Sequence, residues 1–411
     1  MSQGWIAIVA IVLTACGTVA QQPAASPAAQ PNPVSPISVA PEGVASQVPA
    51  TPPPPGRWVA LPRMSVPRIG FSATLLYDGR VLIVGGRTQR FADSPDGTPT
   101  ASVDVFDPAN RSFKSAASLG TGRDGHTATL LPSGKVLVAG GDPGGTAEIY
   151  DPAFDSWTLT APMNSRRYDH AAVLIPGGRV LITGGTATQT VGISPHGAAP
   201  ATLPAEIYDP ASDSWTVAAT PAFDRPEYPT ATALRDGRVL VVGGQNMYGS
   251  TDESRERSEV YNPLSNTWSE TAVETRAGAR QDHTATLLQD GEVLVAGGIR
   301  DGRSNAWAVV YNPVSNSWTQ VANMNVARCG HGAQLLAGGK VLLFGSGCWS
   351  DMSATAEEFD PTSNHWFEVA SLANPRGDIV SVRLAGGEVL ALGGGMPVNT
   401  PTWVAEIFEP A

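Results

Sequence analysis

The stretch Arg123–Gly141, RDGHTATLLPSGKVLVAGG, returns as RQDHTATLLQDGEVLVAGG at Arg280–Gly298. In each copy an alternating apolar run leads to a tight turn, and a second apolar run ends in paired glycines. Alternation with period two is the signature of half-buried strands. A chain that repeats such a hairpin is stacking one supersecondary unit against copies of itself.

Working outward, the paired glycines begin at Gly85, Gly140, Gly184, Gly243, Gly297 and Gly393, and Gly345-Ser346-Gly347 fills the sixth place. Each is followed by a variable loop and then by a short strand ending in proline: Pro108, Pro152, Pro210, Pro263, Pro313, Pro361 and Pro410. An aromatic residue comes next in six units, at Phe113, Trp157, Trp215, Trp268, Trp318 and Trp366. That makes seven units. The dipeptides between the first two strands, Asp78-Gly79 and Asp236-Gly237 among them, suit the positive φ of type I′ hairpins.

The double glycine, the Tyr-Asp-Pro and the Trp at about fifty-residue spacing resemble kelch repeats, which build β-propellers of four-stranded blades. The resemblance covers Trp58 to Ala411 and implies an all-β, seven-bladed propeller over 57–411, with strands a to d running from the centre outward. The seventh unit stops at Pro410 while an unmatched RWVALP stands at Arg57–Pro62. Adding that piece as strand d of the last blade closes the ring and removes an exposed edge.

Ahead of this body, residues 17–56 are rich in Ala, Gln and Ser and hold eleven prolines, a composition expected to form a disordered tether biased toward polyproline II. Residues 1–16 carry the apolar run Trp5–Leu13, too short to span a bilayer as a helix, so the segment reads as a signal peptide. Leu13-Thr14-Ala15-Cys16 resembles the bacterial lipobox, although no Lys or Arg precedes the core. That resemblance implies a lipid on Cys16 and an extracytoplasmic domain held at the bacterial cell envelope, its membrane contact made through the lipid. With 26 basic and 37 acidic residues the net charge is −11. Long-range attraction therefore favours neither nucleic acid nor an anionic bilayer surface.

In a propeller the d-to-a and b-to-c connections share one face, and the long segments Arg87–Ala101, Thr186–Pro204 and Gln245–Arg257 lie on it. Long loops on a rigid scaffold are where binding resides. On this face an arginine precedes each strand a: Arg68, Arg123, Arg167, Arg225, Arg280, Arg328 and Arg376. A ring of guanidinium groups suits acidic sugars or peptides. Against that, strand c carries an acid in six units, at Asp104, Glu148, Glu206, Glu259, Glu357 and Glu406, which matches pairing inside the blades. Trp307, Trp349 and Trp403 fall outside the repeating position, near b-to-c loops, where an indole either anchors its loop or stacks on a sugar ring.

His126, His170, His283 and His331 follow four of the arginines by three residues, with Phe71, Tyr228 and Ile379 in other units. Sitting on separate blades, they are expected to be structural and too far apart to share an ion, so neither metal nor cofactor is expected. Cys329 and Cys348 flank the turn at Gly338-Gly339, and a regular hairpin sets them opposite one another as a disulfide, which an exported protein can keep. No G-x-S-x-G elbow, zinc-type CxxC pair or phosphate loop occurs. The Asp-Ser-Trp-Thr stretches at Asp155 and Asp213 resemble sialidase Asp-boxes but lack the internal glycine.

The expectation is thus a non-catalytic, monomeric binding module for a glycan or protein, with no catalytic residue assigned. The alternative is a carbohydrate-active propeller. One similar to sialic acid mutarotases needs only positioned acid–base groups, for which Glu227, Asp282 and the histidines are candidates. One similar to galactose oxidase needs a Tyr–Cys link, further Tyr and His ligands and a domain beyond the blades, and is the weaker fit.

Overall fold

The computed structural model describes residues 56–88, 99–187, 203–223, 225, 228–244, 258–273, 280–300, 302–347, 352–396 and 400–411. Residues 1–55, and with them Cys16 and nearly all of the expected tether, lie outside this set, as do Cys348, Trp349, Glu227 and most of the three long loops. The unit Pro53–Ala411 is all-β, and its described residues contain no helix.

Seven antiparallel four-stranded sheets form the blades. Blade 2 shows the plan: Thr127–Leu130 (strand a), Val136–Ala139 (b), Ala147–Asp151 (c) and Ser156–Leu159 (d) pair in that order. Strand b reads Val-Leu-Val-Ala and is buried on both faces, because it lies mid-sheet between two neighbouring blades. The inner strands meet their neighbours in a closed circle, from Ser72–Leu75 of blade 1 round to Val380–Arg383 of blade 7 and back. The core is a series of apolar layers between adjacent blades, such as Leu82, Val84 and Val105 of blade 1 against Val136, Val138 and Tyr150 of blade 2.

Closure works as the sequence implies. Arg57–Ala60 pairs with Ala405–Glu409, setting Trp58 opposite Phe408. In the six other blades the strand-c aromatic packs on the strand-d aromatic at 4.9 to 5.0 Å, as in Tyr150–Trp157 and Tyr208–Trp215; Trp58–Phe408 repeats the pair at 5.2 Å. The Trp58 indole N–H donates to the Ala370 carbonyl of the preceding blade at 2.8 Å, as Trp157 donates to Ala117 at 2.7 Å. The N-terminal strand is therefore chemically an ordinary strand d supplied from the far end of the chain.

Six of the a-to-b turns differ from the type I′ expectation, whereas in blade 3 Gly177 and Gly178 both take the positive φ it calls for. In blade 1 the Gly79 N–H bonds the Leu76 carbonyl and the Leu76 N–H bonds the Arg80 carbonyl, and of Asp78 and Gly79 only the glycine has positive φ. This is a three-residue loop ending in a left-handed glycine, and five other blades repeat it at Gly134, Gly237, Gly291, Gly339 and Gly387. The Asp155 and Asp213 stretches are c-to-d turns: Asp155 sits at φ 47° and accepts from the Tyr150 hydroxyl at 2.9 Å and the Ala117 N–H at 2.9 Å.

Candidate functional site

The paired glycines, the arginines and the histidines form one joint between successive blades. The Gly141 N–H donates to the Arg167 carbonyl of blade 3 at 3.0 Å, and a Cβ on Gly140 would lie 2.6 Å from that carbonyl and 2.8 Å from the His170 ring. Any side chain there separates the blades. The same bond joins Gly86 to Arg123, Gly185 to Arg225, Gly244 to Arg280 and Gly298 to Arg328; in blade 6, Ser346 takes the glycine's part and donates to Arg376.

The seven arginines are buried inside the blades. Six pair with the strand-c acid of their own blade: Arg68–Asp104 at 3.1 Å, Arg123–Glu148 at 2.8 Å, Arg167–Glu206 at 2.7 Å, Arg225–Glu259 at 3.2 Å, Arg328–Glu357 at 2.9 Å and Arg376–Glu406 at 2.7 Å. Each guanidinium also donates to the carbonyl of the first repeat glycine, as Arg280 does to Gly297 at 3.0 Å in blade 5, where Val309 stands in place of the acid. The acid in turn takes N–H groups of the d-to-a loop, such as Asn164 and Ser165 on Glu206. Buried charges are tolerated only when so compensated, and removing one partner strands the other.

Each histidine reaches back to a hydroxyl on strand a of the preceding blade: His126 Nε2 to Ser72 at 2.8 Å, His170 to Thr127 at 2.9 Å, His283 to Thr230 at 2.9 Å and His331 to Thr284 at 3.0 Å. Burial, reinforced by the adjacent arginines, pushes His126 and His331 down to about 3 and holds His170 and His283 well below the usual range. The imidazoles are neutral pins between blades. Among the described residues no three of His, Cys, Asp and Glu are grouped so as to hold a metal ion.

One alignment changes. Blade 4 has an extra residue between Arg225 and strand a, so Pro229, not Tyr228, fills the histidine slot, with its ring against Gly184 and Gly244. Tyr228 moves one column inward. That column holds Gly70, Gly125, Asp169, Tyr228, Asp282, Gly330 and Asp378, one per blade and all at positive φ. Backbone bonds link it from blade to blade: Gly125 to Gly70, Asp169 to Gly125, Tyr228 to Asp169 and Gly330 to Asp282, at 2.8 to 3.1 Å. It is the rim of the central bore on the variable-loop face.

Left-handed backbone is uncommon for a bulky residue, and Tyr228 adopts it with φ 49° and 43% exposure. Asp169 does most to raise its phenol well above the usual range, followed by burial among the bore walls and by Asp282 and Asp378, with Arg87 opposing. Tyr228 of blade 4 thus shares an electrostatic environment with charged groups of blades 3, 5, 7 and 1. Asp378 is exposed on the rim, and partial crowding by the bore walls raises its carboxyl to about 6, again opposed by Arg87. Arg87 is ion-paired with Asp124 at 2.6 Å beside the rim.

On the same face Trp307 and Trp403 lie in the b-to-c connections of blades 5 and 7, under the guanidiniums of Arg300 at 5.5 Å and Arg63 at 4.8 Å. Trp403 is 39% exposed and Trp307 half-buried. Cys329 is buried, and its carbonyl accepts the N–H of Gly347, the residue before Cys348, at 3.0 Å.

The comparisons agree with this architecture. The Kelch motif family model matches residues 283–325, which run through strands a to d of blade 5. A solved structure described as a novel fungal alcohol oxidase with catalytic diversity among the AA5 family, in complex with copper, is 16% identical at TM-score 0.69, covering 86% of this chain and 76% of its own. At that identity the likeness is one of fold. No curated protein matches the chain in sequence.

Proposed function

We propose that this seven-bladed propeller, whose fifth blade matches the Kelch motif, is an interaction module which holds a glycan or protein ligand on the variable-loop face, centred on the bore rim. One observation carries the reading. The residues that repeat are consumed by the joints between blades, whereas the rim departs from the repeat and presents Tyr228 with the carboxylates of Asp169, Asp282 and Asp378. Aromatic faces beside carboxylate acceptors suit sugar hydroxyls or basic peptide groups. Trp307 and Trp403 extend the surface outward. The arginines from Arg68 to Arg376 belong in this account to the scaffold beneath the ligand.

The N-terminal pattern supports a setting for it: an envelope-anchored protein, lipidated on Cys16, with residues 17–56 as spacer and a Cys329–Cys348 disulfide beneath the face. Lipid on the N-terminal peptide and a mass consistent with no free thiol would bear this out; two free thiols in exported protein reject the disulfide.

A second reading is a carbohydrate-active enzyme on the same rim, similar in demand to a sugar mutarotase. Asp378 favours it, because a carboxyl near 6 is poised to exchange protons at neutral pH. The two readings separate in one experiment. Glycan-array and envelope pull-down binding is run on wild type, Tyr228→Asn and Arg328→Ala, with mutarotation followed on the bound sugars. A module binds without turnover and loses binding in Tyr228→Asn; an enzyme turns over and loses rate in Asp378→Asn. Unchanged binding in Tyr228→Asn rejects the rim.

A further inference from the structure

The opposite end of the bore departs from the repeat in a different way. The last inner position of strand a, paired with the first apolar residue of strand b, is Leu75, Leu130, Leu174, Leu287 and Leu335 in five blades and Ala233 in a sixth. In blade 7 it is Arg383, opposite Val389. Leu75, Leu287, Leu335 and Arg383 share a cavity of about 630 Å³ with Thr286 and Gln334. That volume is in the range of small-molecule sites, which combine apolar walls with few polar groups.

Arg383 differs from the joint arginines in its surroundings. Its buried Nε has no hydrogen-bond partner among the described residues, as is also true of Arg68, Arg167, Arg225 and Arg376, but those four are held in ion pairs by a strand-c acid and Arg383 makes none among the described residues. A guanidinium with no counter-charge in an otherwise aliphatic column calls for an explanation. The neighbouring positions supply leucine side chains and a Gln334 amide already donated to Ser381 at 3.1 Å. A fixed positive fork in an aliphatic collar matches a group that is anionic at one end and hydrocarbon behind it.

We propose that this collar is a binding site for an aliphatic carboxylate, with Arg383 taking the carboxylate and Leu75, Leu287 and Leu335 taking the chain. The site lies on the face of the short a-to-b turns and is independent of the variable-loop rim. The bore's far end is thereby a second ligand site on the same body.

The test uses sodium octanoate and 1-octanol as probes, with binding to the whole protein followed by calorimetry or ligand-observed NMR. Arg383→Leu restores the residue that five other blades carry at this position, so it keeps the fold. Octanoate binds wild type and weakens by about tenfold or more in Arg383→Leu, in line with loss of a charge-assisted pair, whereas octanol binds both alike. Added salt weakens octanoate and leaves octanol unchanged. Absence of octanoate binding to wild type overturns the proposal, as does equal octanoate binding to Arg383→Leu, or an equal loss of octanol.

Discussion

The two ends of the bore are built from the same strands, yet one is a ring of left-handed backbone carrying Tyr228 and three carboxylates, and the other an aliphatic collar with a single guanidinium. Between them lie the arginine, glycine and histidine joints, which vary little from blade to blade. Residues that repeat hold the blades together. Ser346, Val309 and Pro229 break the repeat inside the joints and keep the joint, whereas Tyr228 and Arg383 break it at the two ends of the bore. Every prediction below either widens that division or erases it.

The largest effect is expected inside a joint. Arg167→Ala leaves Glu206 buried beside empty space, and loss of one partner of such a pair costs about 3–5 kcal/mol. Chemical denaturation reads it directly, and a cost under about 1 kcal/mol would place the arginines among dispensable groups. Closure comes next. Trp58→Ala removes a ring packed on Phe344 and Phe408, and truncating a packed aromatic costs about 3 kcal/mol or somewhat less at this half-buried site. Proteolysis at the 57–62 segment should accelerate; resistance equal to wild type argues that closure does not depend on it.

Acid should loosen all four histidine joints together. The folded pKa values lie below the unfolded value of 6.5, so the unfolded chain binds protons the native state refuses. Stability is therefore complete above pH 6.5 and falls as pH drops toward about 3, by about 1.4 kcal/mol per unit for each imidazole. A melting temperature flat between pH 7 and 4.5 contradicts neutral, buried imidazoles. The rim responds in the opposite sense. The folded pKa of Asp378 is raised to about 6, so its charge opposes folding as pH rises through that value. Asp378→Asn should leave stability at pH 7 unchanged or slightly higher, and a marked loss would make Asp378 part of the scaffold.

Much of this was legible before any coordinates. The Gly-Gly, Tyr-Asp-Pro and Trp columns specify seven blades, and RWVALP specifies the closing strand, because each reflects a contact that every blade must make. The arginine–acid count pointed to pairing inside the blades as one of two readings. The rim was less legible for a concrete reason. Counting forward from Arg225 places Tyr228 in the histidine slot, but the added residue in blade 4 hands that slot to Pro229 and puts Tyr228 in the left-handed rim column. Counting back from strand a would have aligned it with Asp169, Asp282 and Asp378. Arg383 was visible only once its column of leucines was lined up, since a lone arginine at a strand end carries no motif. The turn type was misjudged because Asp-Gly serves both two-residue loops and the three-residue loops that form here.

The most direct test sets one rim residue against one joint residue in the same two assays. Tyr228→Asn, whose new residue tolerates left-handed backbone, is compared with Arg167→Ala by thermal unfolding and by retention on envelope glycans and proteins. The account predicts that Tyr228→Asn keeps the wild-type melting temperature and loses retention, while Arg167→Ala melts far lower. Retention undiminished in a folded Tyr228→Asn protein would contradict it.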